Sequence, residues 1–198
     1  MEAIESMLSQ YPNNPPQVAD MWQMMDNVRD KIGCDNKALD WDTVNEFYSH
    51  PVWLLNGLFI EQHELSMQHR DAISDWIVNK KFKNVLDFGG GFGTLARLIA
   101  GKDPTISVDI YEPHPSEYAL LRAAEYSNIH FINAIDRKYD CLVSTDVLEH
   151  VPDPLQLFSE MIENVKIDGY IIIANNFYPV IKCHLPSTFH LSNRARIT

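Results

Sequence analysis

Apolar positions along this chain change their period once, near residue 84. Before that point the spacing is helical. Val18–Ile32 (VADMWQMMDNVRDKI) places Met21, Met25 and Val28 on one side, and Gly33 supplies a stop. A short helix precedes it, followed by the break YPNNPP at residues 11–16. Asp42–Tyr48 predicts another short helix, ending at Ser49-His50-Pro51. Residues 52–80 (VWLLNGLFIEQHELSMQHRDAISDWIVNK) predict one or two more. The later half of that stretch sets Leu65, Ala72, Ile73, Trp76 and Ile77 close to one face.

From Asn84 onward, short apolar runs alternate with helical spacing. Strands are predicted at Asn84–Phe88, Ile106–Tyr111, Ile129–Ile132, Tyr139–Ser144 and Tyr170–Ala174. Helices are predicted at Thr94–Ala100, closed by Gly101, and near Ser116–Tyr126. A third starts from an Asp153 cap with Pro154 at the first helical position, and runs through Leu155, Phe158, Met161 and Ile162 to about Val165. Such alternation implies an α/β fold, a parallel sheet with helices on both faces. The chain is therefore expected to comprise an N-terminal helical cap or lid, residues 1–80, and an α/β core, residues 81–198.

Composition narrows the classes. A chain of 198 residues, 45% hydrophobic, suffices for one domain with an accessory segment. A net charge of −11 offers no basic footprint, so no nucleic-acid partner is expected. Cys34, Cys141 and Cys183 lie far apart without CxxC spacing, which disfavours structural zinc and a disulfide framework. The N-terminus shows no basic n-region with an apolar h-region, and no stretch approaches 18 uninterrupted apolar residues. A cytoplasmic location without membrane association is the expectation.

The candidate chemistry begins at VLDFGGGFGT, Val85–Thr94. An apolar run leads to Asp87, and then Gly89, Gly91 and Gly93 recur at every second position with Gly90 between them. Strand, glycine turn and helix in that order begin a Rossmann-like nucleotide unit, because glycine tolerates positive φ and leaves room for a ligand. The spacing is not that of the dinucleotide fingerprint G-x-G-x-x-G. Glu112 closes the second strand about two dozen residues later, where a carboxylate can accept both hydroxyls of a ribose.

Asp-x-Gly-x-Gly-x-Gly resembles the first motif of the class I methyltransferases that use S-adenosylmethionine (SAM). YDCLVSTDVLEHVPDP, residues 139–154, is similar to the fourth-strand motif of their small-molecule members, including the ubiquinone- and menaquinone-biosynthesis type. GYIIIANNF, residues 169–177, resembles their fifth strand. The resemblance covers about residues 84–178. It implies a Rossmann-like sheet of order 3-2-1-4-5 and a SAM-dependent methyltransferase that moves a methyl group to an O, N or C nucleophile of a small molecule, leaving S-adenosylhomocysteine. It also implies that Phe88, Gly89, Gly90 and Gly91 meet the methionyl part while Asp87 orients its amino group. Pro113 would pack on the adenine, Asn133 and Ala134, with Asp136, would line its edge, and Thr145 and Asp146 would lie beside the cofactor.

His150 is the candidate general base, with orientation of the loop as the alternative role. Catechol-type relatives bind magnesium through acidic ligands after the fourth strand and an Asp-Asn pair after the fifth. Here Asp146 is matched by Asn175-Asn176, so one carboxylate is missing and no metal is expected. The family's further helix and antiparallel strand pair find no counterpart after Asn176. The fifth strand is then an exposed edge, expected to be covered by the C-terminal segment or by a second subunit in a homodimer. That shortfall also motivates an alternative, a catalytically weak SAM-binding regulatory or assembly subunit. A nicotinamide-dependent oxidoreductase with a distorted fingerprint is the third reading.

Overall fold

A computed structural model of the protein describes residues 2–9 and 15–192. Within the predicted break, residues 11–14 lie outside the described residues, as do residues 193–198 of the polar tail. Five strands, β1 (Asn84–Phe88), β2 (Ser107–Tyr111), β3 (Ile129–Ile132), β4 (Tyr139–Thr145) and β5 (Val165–Ala174), form one sheet of order β3-β2-β1-β4-β5. Every neighbouring pair is parallel. The expected strand order is the observed one.

The central strand shows why. Val85 pairs with Val108 on one side and Cys141 on the other, and Val85 and Leu86 are both fully buried. Successive side chains of a strand point to opposite faces, so two adjacent apolar residues demand a layer on each side. On one face, Val85, Ile110 and Val143 pack with Ile77 of α5 (Glu64–Lys80), Leu95 and Ile99 of α6 (Thr94–Lys102) and Ala123 of α7 (Glu117–Ala123). On the other, Leu86, Tyr139 and Leu142 pack with Met161 of α8 (Pro154–Glu163). Cys141 is buried, as its apolar run implies, and all three cysteines are free thiols.

Several boundaries and faces differ from the sequence expectation. Helix α6 runs through Gly101 to Lys102 and is capped by Asp103. Strand β5 begins at Val165, with an irregularity between the pairings Tyr139–Val165 and Cys141–Tyr170. Leu65 and Ala72 of α5 are exposed, while that helix buries Ile77, as expected, together with Ser74. Ser74 is small enough for Lys102 of α6 to reach its Oγ at 2.7 Å while also contacting Asp71 and Asp75. Leu155 and Ile162 of α8 also face solvent.

The remaining helices are α1 (Glu2–Leu8), α2 (Val18–Ile32), α3 (Trp41–Ser49) and α4 (Val52–Ile60). Gly33 ends α2 in the left-handed region, φ 87°, its N–H donating to Arg29 and Asp30 carbonyls. These helices gather a second core around Met21, Met25, Val28, Phe47, Val52 and Leu55, completed by Ile181 and Cys183 from beyond β5. The segment after β5 thus turns toward α2, where the Lys182 N–H donates to Asp26 at 2.8 Å and the Asn36 side chain donates to the Lys182 carbonyl. Ile167 on the edge strand stays 94% exposed. No helix among the described residues is long and apolar enough to cross a membrane.

Candidate functional site

The site lies at the carboxyl ends of β1, β2 and β4, where a parallel sheet leaves a crevice beside its topological switch. Asp87 is the last buried residue of β1, 3% exposed. Its Oδ2 is buried and has no hydrogen-bond partner among the described residues. Desolvation pushes the carboxyl up to about 7, and the nearby Glu112 charge adds to the rise while Arg70 opposes it. The glycine turn passes directly above. A Cβ on Gly90 would lie 2.8 Å from the Asp87 carboxyl, and one on Gly89 would lie 2.4 Å from Val147 Cγ2. Gly89 also has φ 69°, so neither its space nor its backbone admits a side chain.

Glu112 reaches this turn from the end of β2. Its Oε2 accepts the Gly91 N–H at 2.9 Å and its Oε1 accepts the His114 N–H at 3.0 Å. Residues separated widely in sequence are thereby clamped around one concavity, with Asp87 beneath and Glu112 at the rim. Pro113 is exposed beside it. Asn133 and Ala134 follow Ile132, which pairs with Tyr111. They line a cleft of about 320 Å³ with Phe88, Tyr111, Ile135 and Leu157. Asp136 is exposed and does not line that cleft.

At the end of β4, Thr145 leads to Asp146, which holds the left-handed region at φ 55° while its N–H continues the ladder to the Ala174 carbonyl. Positive φ at a non-glycine residue is a strained conformation that concentrates at functional sites. Burial raises the Asp146 carboxyl, opposed by Arg70 and His184. Asn175 Oδ1 then accepts the Val147 and Leu148 N–H groups, so this asparagine organises the turn.

His150 faces the C-terminal segment. Its Nδ1 lies 3.1 Å from the Cys183 carbonyl, and its ring meets Tyr48 and Trp53 edge-on. Burial pushes the imidazole down to about 3, with His184 adding to the fall. A general base works best with a pKa near the operating pH. His150 is in this setting a weaker base than the sequence reading requires.

The sequence reading missed the residues that come from the helical segment and the C-terminal stretch. Tyr48, at the end of α3, stacks with Trp53 at 5.0 Å and with His114 at 6.0 Å. Burial raises the Tyr48 phenol well above its ordinary value. Ser49 Oγ lies 3.3 Å from His114 Nδ1. Gly57 of α4 presses on Phe92 of the glycine turn, and Glu61, just after α4, pairs with Arg97 and accepts from Thr94 at 3.0 Å. Helices α3 and α4 therefore pack directly on the loops that carry the candidate site. His184 lies across from His150, ring centroids 5.0 Å apart.

A family model described as a methyltransferase domain matches residues 61–184, more than half of the chain. Among known proteins, the ubiquinone biosynthesis O-methyltransferase of Thiobacillus denitrificans is 30% identical over 140 residues, 64% of this chain and 58% of that protein. The enzyme of the same name from Photobacterium profundum is 25% identical over 136 residues, 62% of this chain and 56% of its own. The matched region thus spans a little over half the length of these relatives. In fold, the chain is similar to an O-methyltransferase family protein from Burkholderia thailandensis, with a TM-score of 0.60 at 16% identity, over 78% of this chain and 52% of that one.

Proposed function

Since the chain belongs to the class I SAM-dependent methyltransferase family, we propose that it transfers a methyl group from SAM to a nucleophile on a small molecule. The observation that carries the reading is the buried, unpartnered Asp87 oxygen beneath a glycine turn that Glu112 clamps. The donor set fits the cofactor. Asp87, Glu112 and Asp146 offer three carboxylates to a ligand that bears an ammonium and a sulfonium, and the exposed Gly91 leaves the approach open. When bound, SAM supplies a methyl on a positively charged sulfur, which a nucleophile takes by in-line displacement.

The protein's part is positioning. Asp87 would hold the amino group, Glu112 the ribose hydroxyls, and Phe88 to Gly91 the methionyl chain. Asn133 and Ala134 would bound the adenine. Helices α3 and α4 would act as the cap that excludes water, since they already pack against Phe92 and His114. Fixing a nucleophile on the axis of the breaking bond can contribute roughly 7–11 kcal/mol to barrier lowering in favourable systems. Oxygen is the favoured acceptor atom, supported by the similarity to proteins named O-methyltransferases.

Calorimetric titration with SAM and S-adenosylhomocysteine tests the reading. We expect micromolar-scale binding of both to the wild type, weakened about tenfold or more by Glu112→Ala, which removes a charged hydrogen-bond partner. A folded wild type that binds neither would sink the proposal.

A further inference from the structure

Glu149, His150 and His184 meet where the β4 motif faces the C-terminal segment. One ligand atom from each lies within 4.8 Å of the other two. Glu149 is fully buried. Its Oε1 accepts the Asn176 N–H at 2.8 Å, and its Oε2 is buried without a partner among the described residues. A carboxylate oxygen left bare in the interior costs free energy unless a cation or donor meets it.

The two imidazoles are already oriented. His150 Nδ1 lies 3.1 Å from the Cys183 carbonyl and His184 Nδ1 lies 2.7 Å from the Tyr178 carbonyl. A carbonyl only accepts, so each ring carries its hydrogen on Nδ1 and keeps the Nε2 lone pair. Metal-ligating histidines show this arrangement, the second nitrogen donating to a backbone carbonyl that fixes tautomer and ring plane.

We propose that Glu149, His150 and His184 form a binding site for a divalent transition-metal ion of the zinc class. Two imidazoles and one carboxylate suit zinc or a neighbouring ion, whereas magnesium demands mostly oxygen. Three protein donors leave one position for a water or another oxygen ligand. Zinc bonds of about 2.0–2.2 Å draw the trio inward from its present spacing. The donors differ from Asp146 and Asn175-Asn176, the positions at which the sequence argued against magnesium. Val147 contacts Gly89, so the site stands one turn of chain from the glycine turn.

The chain, stripped with a chelator, is titrated with Zn²⁺ against a chromophoric competitor and, separately, with Co²⁺ while visible absorption is recorded. One equivalent of Zn²⁺ and the d–d bands of a four-coordinate nitrogen–oxygen site are expected. Glu149→Gln, which keeps an acceptor for Asn176, and His184→Gln should each weaken Zn²⁺ binding by about a hundredfold, circular dichroism confirming the fold. Where a variant fails to fold, X-ray absorption at the zinc edge of the wild type decides, through two imidazole scattering shells. Absence of stoichiometric binding, variants that bind as the wild type does, or a spectrum without two imidazoles overturns the proposal.

Discussion

Asp87 sits on β1 with one oxygen buried and bare, a state tolerated in the free protein because the carboxyl holds a proton more readily than usual. Its folded value of about 7 exceeds the ordinary 3.8. The sign follows: this residue favours folding most below its unfolded value, and that contribution is lost as pH rises through 7. Glu149, also pushed up to about 7 by burial, acts in the same direction. A cation placed beside Asp87 favours the ionised form, so SAM affinity should rise by about tenfold from pH 6 to pH 8, one proton being released. Calorimetry across that range checks this, and Asp87→Asn should flatten the profile. Asp87 and Glu112 were visible in the sequence because one lies just before the glycine pattern and the other just after the next strand. Tyr48 and His184 were not. They enter from a helix end and from an irregular stretch, neither of which has a period that points at a partner.

At the scale of elements, β1 to β4 followed closely from the sequence, since apolar runs buried on both faces have sharp ends, whereas the largely exposed start of β5 at Val165 carried no such run. Helix faces followed less well. A spacing of 3.6 identifies a stripe without naming its cover, and Leu65, Leu155 and Ile162 remained in solvent. What fixes α4 against the sheet domain is a polar contact at its end. Glu61 meets Arg97, which is only 8% exposed, and Thr94 at the start of α6. Glu61→Ala strands a buried guanidinium. Because Glu61 itself is partly exposed, the expected loss of stability is about 2–3 kcal/mol, below the full cost of breaking a buried pair. Denaturant unfolding measures that loss, and SAM binding should weaken with it as α4 loosens from Phe92.

For the whole molecule, the charge of −11 acts together with the carboxylates of the site. A field of one sign attracts a cationic ligand and weakens as salt shortens the screening length from about 30 Å at 0.01 M to about 8 Å at 0.15 M. SAM carries the sulfonium charge and S-adenosylhomocysteine does not. Raising salt over that range should therefore weaken SAM several-fold and its product much less, as parallel titrations would show. Equal salt dependence of the two would place the ligand's sulfur away from these carboxylates.

Ile181 and Cys183 complete the core of α2 and α3, although well over a hundred residues of chain separate them from Met21 and Met25. On the ribosome, at about 5–20 residues per second, the early helices wait many seconds for those two side chains to emerge. Within the sheet, the longest wait between paired strands is that of β1 for β4, less than half as long. Birth order thus runs against closing order: α2 and α3 are synthesised before the sheet, yet their core closes after it. Until that late seal, Met21 and Met25 lack two of the side chains that bury them.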